Sequence, residues 1–206
     1  MTAPALLILK DQFQRSFAAA GLAAPHGVFE ALAERYSEPQ RAYHTLQHIA
    51  ECLGHLKAVR NAPPAASIAL WFHDAIYDPK RRDNEERSAA WAGLVLEKTP
   101  IRGAVEAMIL ATKPGAVAPD AGARLVVDID LAILAAPEPR FSEYEAQIRR
   151  EYAYVDDATY KIERFKVLRS FSDRAFIYAS PEFRDLETRA RKNIERSTNR
   201  MIVAKK

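Results

Sequence analysis

The 206-residue chain contains a single cysteine, Cys52, which excludes an internal disulfide framework and fits a reducing compartment. Long apolar runs are absent as well. None approaches the roughly 20 residues that a membrane helix needs, and the patch from Ala5 to Leu9 is too brief and poorly flanked for a secretory signal. A cytoplasmic protein that spans no membrane is therefore expected. Charge of one sign is not in excess: 30 basic against 27 acidic residues leave a formal charge of +3. The basic clusters Lys80-Arg81-Arg82, Arg149-Arg150 and Arg189-Ala190-Arg191-Lys192 are scattered, so nucleic-acid binding is disfavoured. Glycine is scarce at 7 residues, and no sustained period-two run of β-branched residues suggests a sheet. Histidine is limited to five positions, none of them beyond His73.

What remains is a helical pattern. Alanine, leucine, glutamate and arginine dominate, and apolar residues recur every three or four positions, which predicts an all-α protein. At this length one domain with a complete core suffices, and no repeat, low-complexity tract or linker marks a boundary. Helices are expected from Leu6 to Ala20, from Pro25 to about Ser37, and from Tyr43 or His44 to about Asn61. The next, Ala65 to Phe72, is apolar all round and belongs in the middle of the core. A fifth, capped by Asp83 or Asn84, runs to Glu97, and a sixth covers Ile101 to Ala111. The segment from Lys113 to Gly122, with two prolines and two glycines, is expected to be irregular. The run from Val126 to Leu134 is rich in valine and isoleucine, yet the chain offers no partner strand, so a buried helix is expected there. Further helices follow at Ser142 to Val155, Asp157 to Phe171 and Pro181 to about Arg200.

Chemistry concentrates in two stretches, Tyr43-His44-Thr45-Leu46-Gln47-His48 and Trp71-Phe72-His73-Asp74. On a helix, His44 and His48 share a face, which suits a metal ligand beside a proton donor, or two ligands. A zinc protease would need glutamate directly after the first histidine, where Thr45 stands. His73-Asp74 closes an apolar helix, where an ionised carboxylate is costly unless a cation or donors surround it. Asp128 and Asp130 stand inside another apolar stretch, and one of them should be a ligand. Two imidazoles with two carboxylates suit Mn, Fe, Co, Ni or Zn rather than calcium, and imply metal-assisted hydrolysis. The paired Glu-X-X-His motifs of di-iron bundles do not occur. Trp71, Phe72 and Tyr77 could stack a base, although aromatics beside an apolar helix are usually core, and Cys52 reads most simply as a small buried residue.

This order of residues resembles the HD superfamily of metal-dependent phosphohydrolases over about residues 41–134, with the C-terminal helices 142–200 completing a single HD-type helical bundle. It is similar in particular to a bacterial subgroup of predicted metal-dependent HD phosphohydrolases, through Arg41 to His48, Trp71 to Tyr77, Asn84 to Ala89, Asp128 to Leu134 and Ile148 to Tyr152. The resemblance implies His48, His73, Asp74 and Asp130 as metal ligands, with Asp128 in a supporting role. It implies one divalent ion (Mn, Fe, Co, Ni, Zn or Mg), because the histidine often found after Lys113 is replaced by Pro114-Gly115. Catalytic roles fall to Asp74, to His44 as acid to the leaving oxygen, and to Glu85 as an orienter of water. Lys113, Arg149 and Arg150 are candidates to bind phosphate. The expected substrate is a nucleotide-like or other small phosphorylated metabolite, and the expected assembly is compatible with a homo-oligomer. The alternatives are a non-catalytic, metal-stabilised binding module and a metal-dependent oxygenase, the latter opposed by the missing histidines.

Overall fold

The computed structural model describes residues 2–203, and these are helical throughout, with ten α-helices, two 3-10 helices and no strand. The chain separates into two compact units, one ending at Val127 and one beginning at Asp128. No helix of the described residues is long and apolar enough to cross a membrane.

The first unit holds α1 (Ala3–Ala19), α2 (Val28–Arg35), α3 (Leu46–Lys57), α4 (Pro64–Phe72), α5 (Asn84–Val95) and α6 (Arg102–Ala111). As its apolar sequence predicts, α4 is the hub: it packs against α1, α3, α5 and α6, and Ile68, Ala69, Leu70, Trp71 and Phe72 are all completely buried. Trp71 meets Phe13 and Phe29 edge-on at centroid distances of 5.5 and 6.0 Å, and its indole N–H donates to Ser16 Oγ at 3.0 Å. Phe72 meets Trp91 edge-on at 5.7 Å. Both aromatics beside His73 are therefore core side chains, as their setting in an apolar helix suggests. Tyr36, just past α2, reaches the same core and donates its hydroxyl to the Trp71 carbonyl at 2.9 Å.

Among the helix starts that differ from expectation, those of α2 and α3 do so for identifiable local reasons. Helix α2 begins at Val28 rather than Pro25 because Gly27, at φ +77°, takes the left-handed conformation that glycine adopts without a Cβ clash. Helix α3 begins at Leu46 because Thr45 is extended and its side chain accepts the Gln47 N–H at 3.3 Å. His44 thus lies before the helix rather than on it.

Helix α7 (Ala121–Asp130) continues into a 3-10 helix, Leu131–Ala135, so the valine- and isoleucine-rich run is helical. The second unit adds α8 (Glu138–Glu151), α9 (Asp157–Ser172), a 3-10 helix at Pro181–Leu186, and α10 (Glu187–Val203). Here α10 is the hub, packing against both 3-10 helices and α9. Asn193 of α10 donates to the Leu134 and Ala136 carbonyls, both at 2.9 Å, and so ties down the end of the first 3-10 helix. Asp128 accepts the N–H groups of Ala179 and Ser180 at the entrance of the second. Burial pushes the Asp128 carboxyl up, and the Ser180 and Ala179 bonds only partly offset this.

Candidate metal centre

The C-terminal end of α4 and the first turn of α3 bring three donors to one point. His73 follows the last residue of α4 and is 1% exposed; His48, in the first turn of α3, is equally buried. The His73 Nδ1 lies 2.9 Å from the Leu70 carbonyl, which can only accept, so we assign the proton to Nδ1 and leave the Nε2 lone pair facing inward. That Nε2 stands 3.1 Å from His48 Nε2 and 3.0 Å from Asp74 Oδ2, and His48 Nε2 is 3.5 Å from the same oxygen.

Donors about 2.1 Å from one ion, at angles of about 90–110°, stand about 3.0–3.4 Å apart. The three observed separations match that triangle. Two imidazole lone pairs and a carboxylate directed at one another repel unless a proton or a cation lies between them, so the donor set fits a divalent ion. The C-terminal end of α4 adds the negative pole of its dipole. Burial pushes the Asp74 carboxyl up, but the charges of His73 and His44 and the bonds from His48 and His73, present when these imidazoles are protonated, outweigh it and hold the group well below the usual carboxylate range; a cation between the donors acts in the same direction.

Arg41 fixes the two arms of this centre. Its guanidinium is fully buried and donates to Glu38 Oε2 at 3.1 Å, to the His44 carbonyl at 3.1 Å, to the Asp74 carbonyl at 2.7 Å and to the Ala75 carbonyl at 3.0 Å. It lies over the rings of Tyr36 and Tyr77, at 5.1 and 5.5 Å. One side chain therefore joins the segment entering α3 to the turn leaving α4. That turn is pinned again further on, where Ile76 N–H donates to Ser88 Oγ at 3.0 Å and Asp78 and Asn84 exchange bonds at 3.1 and 2.9 Å.

Of the other expected residues, His44, Glu85 and Lys113 belong to the same unit as this centre. His44 is half-buried, stacks on Tyr77 at 4.0 Å and has its ring 6.1 Å from that of His48, so the pair meets although it shares no helix. Glu85 is half-buried in the first turn of α5; burial raises its carboxyl, its own backbone N–H opposes this, and the Asp74 and Glu86 charges add to the rise. Lys113 is exposed and bonded to Glu86, which pushes its ammonium up. Asp130, half-buried at the end of α7, belongs to the second unit, as do Arg149 and Arg150. Arg149 is committed there to the Tyr152 and Val155 carbonyls, at 2.7 and 3.1 Å, and to Asp157, at 2.6 Å; Arg150 is exposed on α8.

Sequence reasoning gave Arg41 no role, although it opens the stretch Arg41 to His48, since a single arginine after Glu38-Pro39-Gln40 carries no spacing signal. Cys52, expected to be a small buried residue, is 1% exposed one turn beyond His48. Comparison with family models, curated proteins and solved structures found no match.

Proposed function

We propose that the chain is a metal-dependent phosphohydrolase of the HD type, acting on a phosphate ester of a nucleotide-like or other small phosphorylated metabolite. One observation carries this reading: the convergence of His48 Nε2, His73 Nε2 and Asp74 Oδ2 within 3.0–3.5 Å of one another at the buried end of α4. His48, His73 and Asp74 would hold the ion, and the sequence pattern adds Asp130 as a fourth ligand. A divalent ion held there supplies Lewis acidity and water of lowered pKa, the requirements of phosphoester hydrolysis at neutral pH.

The chain's own residues divide the remaining work. His44, half-buried and oriented by its stack on Tyr77, is placed to give a proton to the leaving oxygen. Glu85, whose raised carboxyl lies nearer neutrality than an exposed glutamate, is suited to holding water or exchanging a proton. Lys113 would trade Glu86 for a substrate phosphate, and Arg150 has a side chain open to solvent. Arg149 is the weakest of the three basic candidates because its fork is already engaged.

The test is metal analysis of protein purified without chelator, followed by a phosphoester panel with several added divalent ions. About one ion per chain is expected, with occupancy abolished by His73→Ala and turnover abolished by Asp74→Asn. Full occupancy in the His73 variant would overturn the ligand set. Bound metal without turnover on any phosphoester would point instead to a metal-stabilised binding module.

A further inference from the structure

The second unit holds a cleft of about 420 Å³ whose walls come from α8, α9 and α10 alone. That volume falls within the roughly 300–1,000 Å³ of small-molecule sites. Four of its side chains are cationic, Arg149, Lys161, Arg196 and Arg200, and two are acidic, Glu145 and Asp157. Both acids are already engaged. Glu145 takes the buried Arg164 guanidinium on Oε1, at 3.2 Å from Nε, and the Ser197 hydroxyl on Oε2 at 2.7 Å, while Asp157 pairs with Arg149 at 2.6 Å. Arg149 is also fixed by two main-chain carbonyls and so forms wall rather than grip. The other cations are less committed. Arg196 and Arg200 share the one exposed carboxylate of Glu138, at 2.8 and 3.7 Å, and Lys161 has no ion pair among the described residues. With Arg164 and Glu138 included, five cations meet three carboxylates, a surplus of two. A phosphate monoester carries about −1.5 to −2 at pH 7 and matches that surplus, whereas a single carboxylate would leave one cation uncompensated. Beside these charges stand the half-buried Met201 and Tyr160, the latter with the Arg149 guanidinium over its ring at 4.7 Å, and they offer an apolar wall.

We propose that this cleft is a binding site for a small organic phosphate monoester. Lys161, Arg196 and Arg200 grip the phosphate, the two arginines through their planar forks, and the apolar body of the ligand lies against Tyr160 and Met201. No residue of the cleft is among His48, His73, Asp74 and Asp130, so the site stands or falls independently of the metal centre.

Calorimetric titration of the full chain with phenylphosphonate provides the test, because its C–P bond resists hydrolysis and at about pH 8 it is a dianion like a phosphate monoester. About one phenylphosphonate per chain is expected, with the same affinity in the presence and the absence of excess chelator. Lys161→Gln and Arg200→Gln change exposed side chains and should leave the Tm within about 2 °C of the parent, yet each should weaken binding at least about 10-fold, the loss of one charge-assisted hydrogen bond. Benzoate, which keeps the ring but lacks the second charge, should bind at least about 10-fold more weakly, and inorganic phosphate, which lacks the ring, more weakly as well. No saturable binding, or unchanged affinity in both variants, would overturn the site. Binding that appears only with a divalent ion present would assign the phosphonate to the metal centre and overturn it equally. Benzoate bound as tightly as phenylphosphonate would refute the match to a dianion, and inorganic phosphate bound as tightly would refute the part given to Tyr160 and Met201.

Discussion

Replacing Arg41 by alanine is the sharpest perturbation of the metal centre that leaves every proposed ligand in place. The side chain is fully buried and makes four hydrogen bonds, three of them to main-chain carbonyls that flank the site. Hydrogen bonds to a charged donor contribute about 1.5–3 kcal/mol each, so simple addition would give about 6–12 kcal/mol, comparable to the whole stability of a domain. That sum overstates the loss, because Glu38 keeps a bond to Arg35 at 2.9 Å and the neighbouring His44 is half open to water. A more realistic value is that for removing one partner of a buried ionic network, about 3–5 kcal/mol, equivalent to a fall in Tm of about 6–20 °C for a chain of this size. Arg41→Lys should fall between, since one ammonium cannot span acceptors on both arms. Thermal unfolding measures the stability, and metal titration measures the second effect, a weaker affinity because the His44 and Asp74 segments are no longer joined. An Arg41→Ala variant that melts within about 2 °C of the parent and binds metal equally well would refute the role assigned to this residue.

Three further outcomes follow from individual contacts. Adding a divalent ion to chelated protein at about 100 times its Kd should stabilise the fold by about 2.7 kcal/mol, seen as a concentration-dependent rise in Tm; no rise would count against a site formed only in the folded chain. Thr45→Ala removes the cap of α3 and should cost about 1 kcal/mol, read from denaturant midpoints, with His48 in the affected turn losing some metal affinity. For Glu38, burial raises the carboxyl but the bonds from Arg35 and Arg41 outweigh it, so the folded value lies below the unfolded one. Its contribution is therefore present above an unfolded pKa of about 4.3 and lost as pH falls through the folded value. The stability gap between the parent and Glu38→Gln should accordingly be wide at pH 7 and close in strong acid, and a gap that widens on acidification would show the sign to be wrong.

Much of the fold was legible because burial and periodicity point the same way. The apolar circumference of Ile68 to Phe72 admits only a central position, and α4 takes it. The run from Val126 to Leu134 was read as helix because no second strand existed to pair with it, and α7 with its 3-10 extension agrees. Helix starts were less legible. Thr45 and Gly27 each act through a single local conformation, a side-chain cap and a positive φ, which compete with periodicity and override it. The division after Val127 was invisible in composition because it falls inside α7, in the run from Leu125 to Asp130, which holds no proline or glycine.

The centre itself was legible in its ligands and not in what holds them. His73 and Asp74 stand out in the sequence because a helix whose other polar side-chain groups are only the Ser67 hydroxyl and the Trp71 indole ends on both, and the structure supplies the reason such an ending is stable. The Leu70 carbonyl takes the outer proton of His73, and Arg41 takes the Asp74 carbonyl, so two polar groups at the end of the most buried helix are satisfied from behind. What is left facing inward is the His73 Nε2 atom and the Asp74 carboxylate, opposite the Nε2 atom of His48. Shared protons or one cation between these atoms can satisfy such a set. Arg41 has a long, flexible side chain whose partners lie up to 34 residues away, so its role depends on the tertiary path of the chain rather than on any spacing. Cys52 is the opposite case: its position four residues after His48 was plain, and its buried Sγ, 3.7 Å from both ring nitrogens, packs beside the imidazole as a small core residue does.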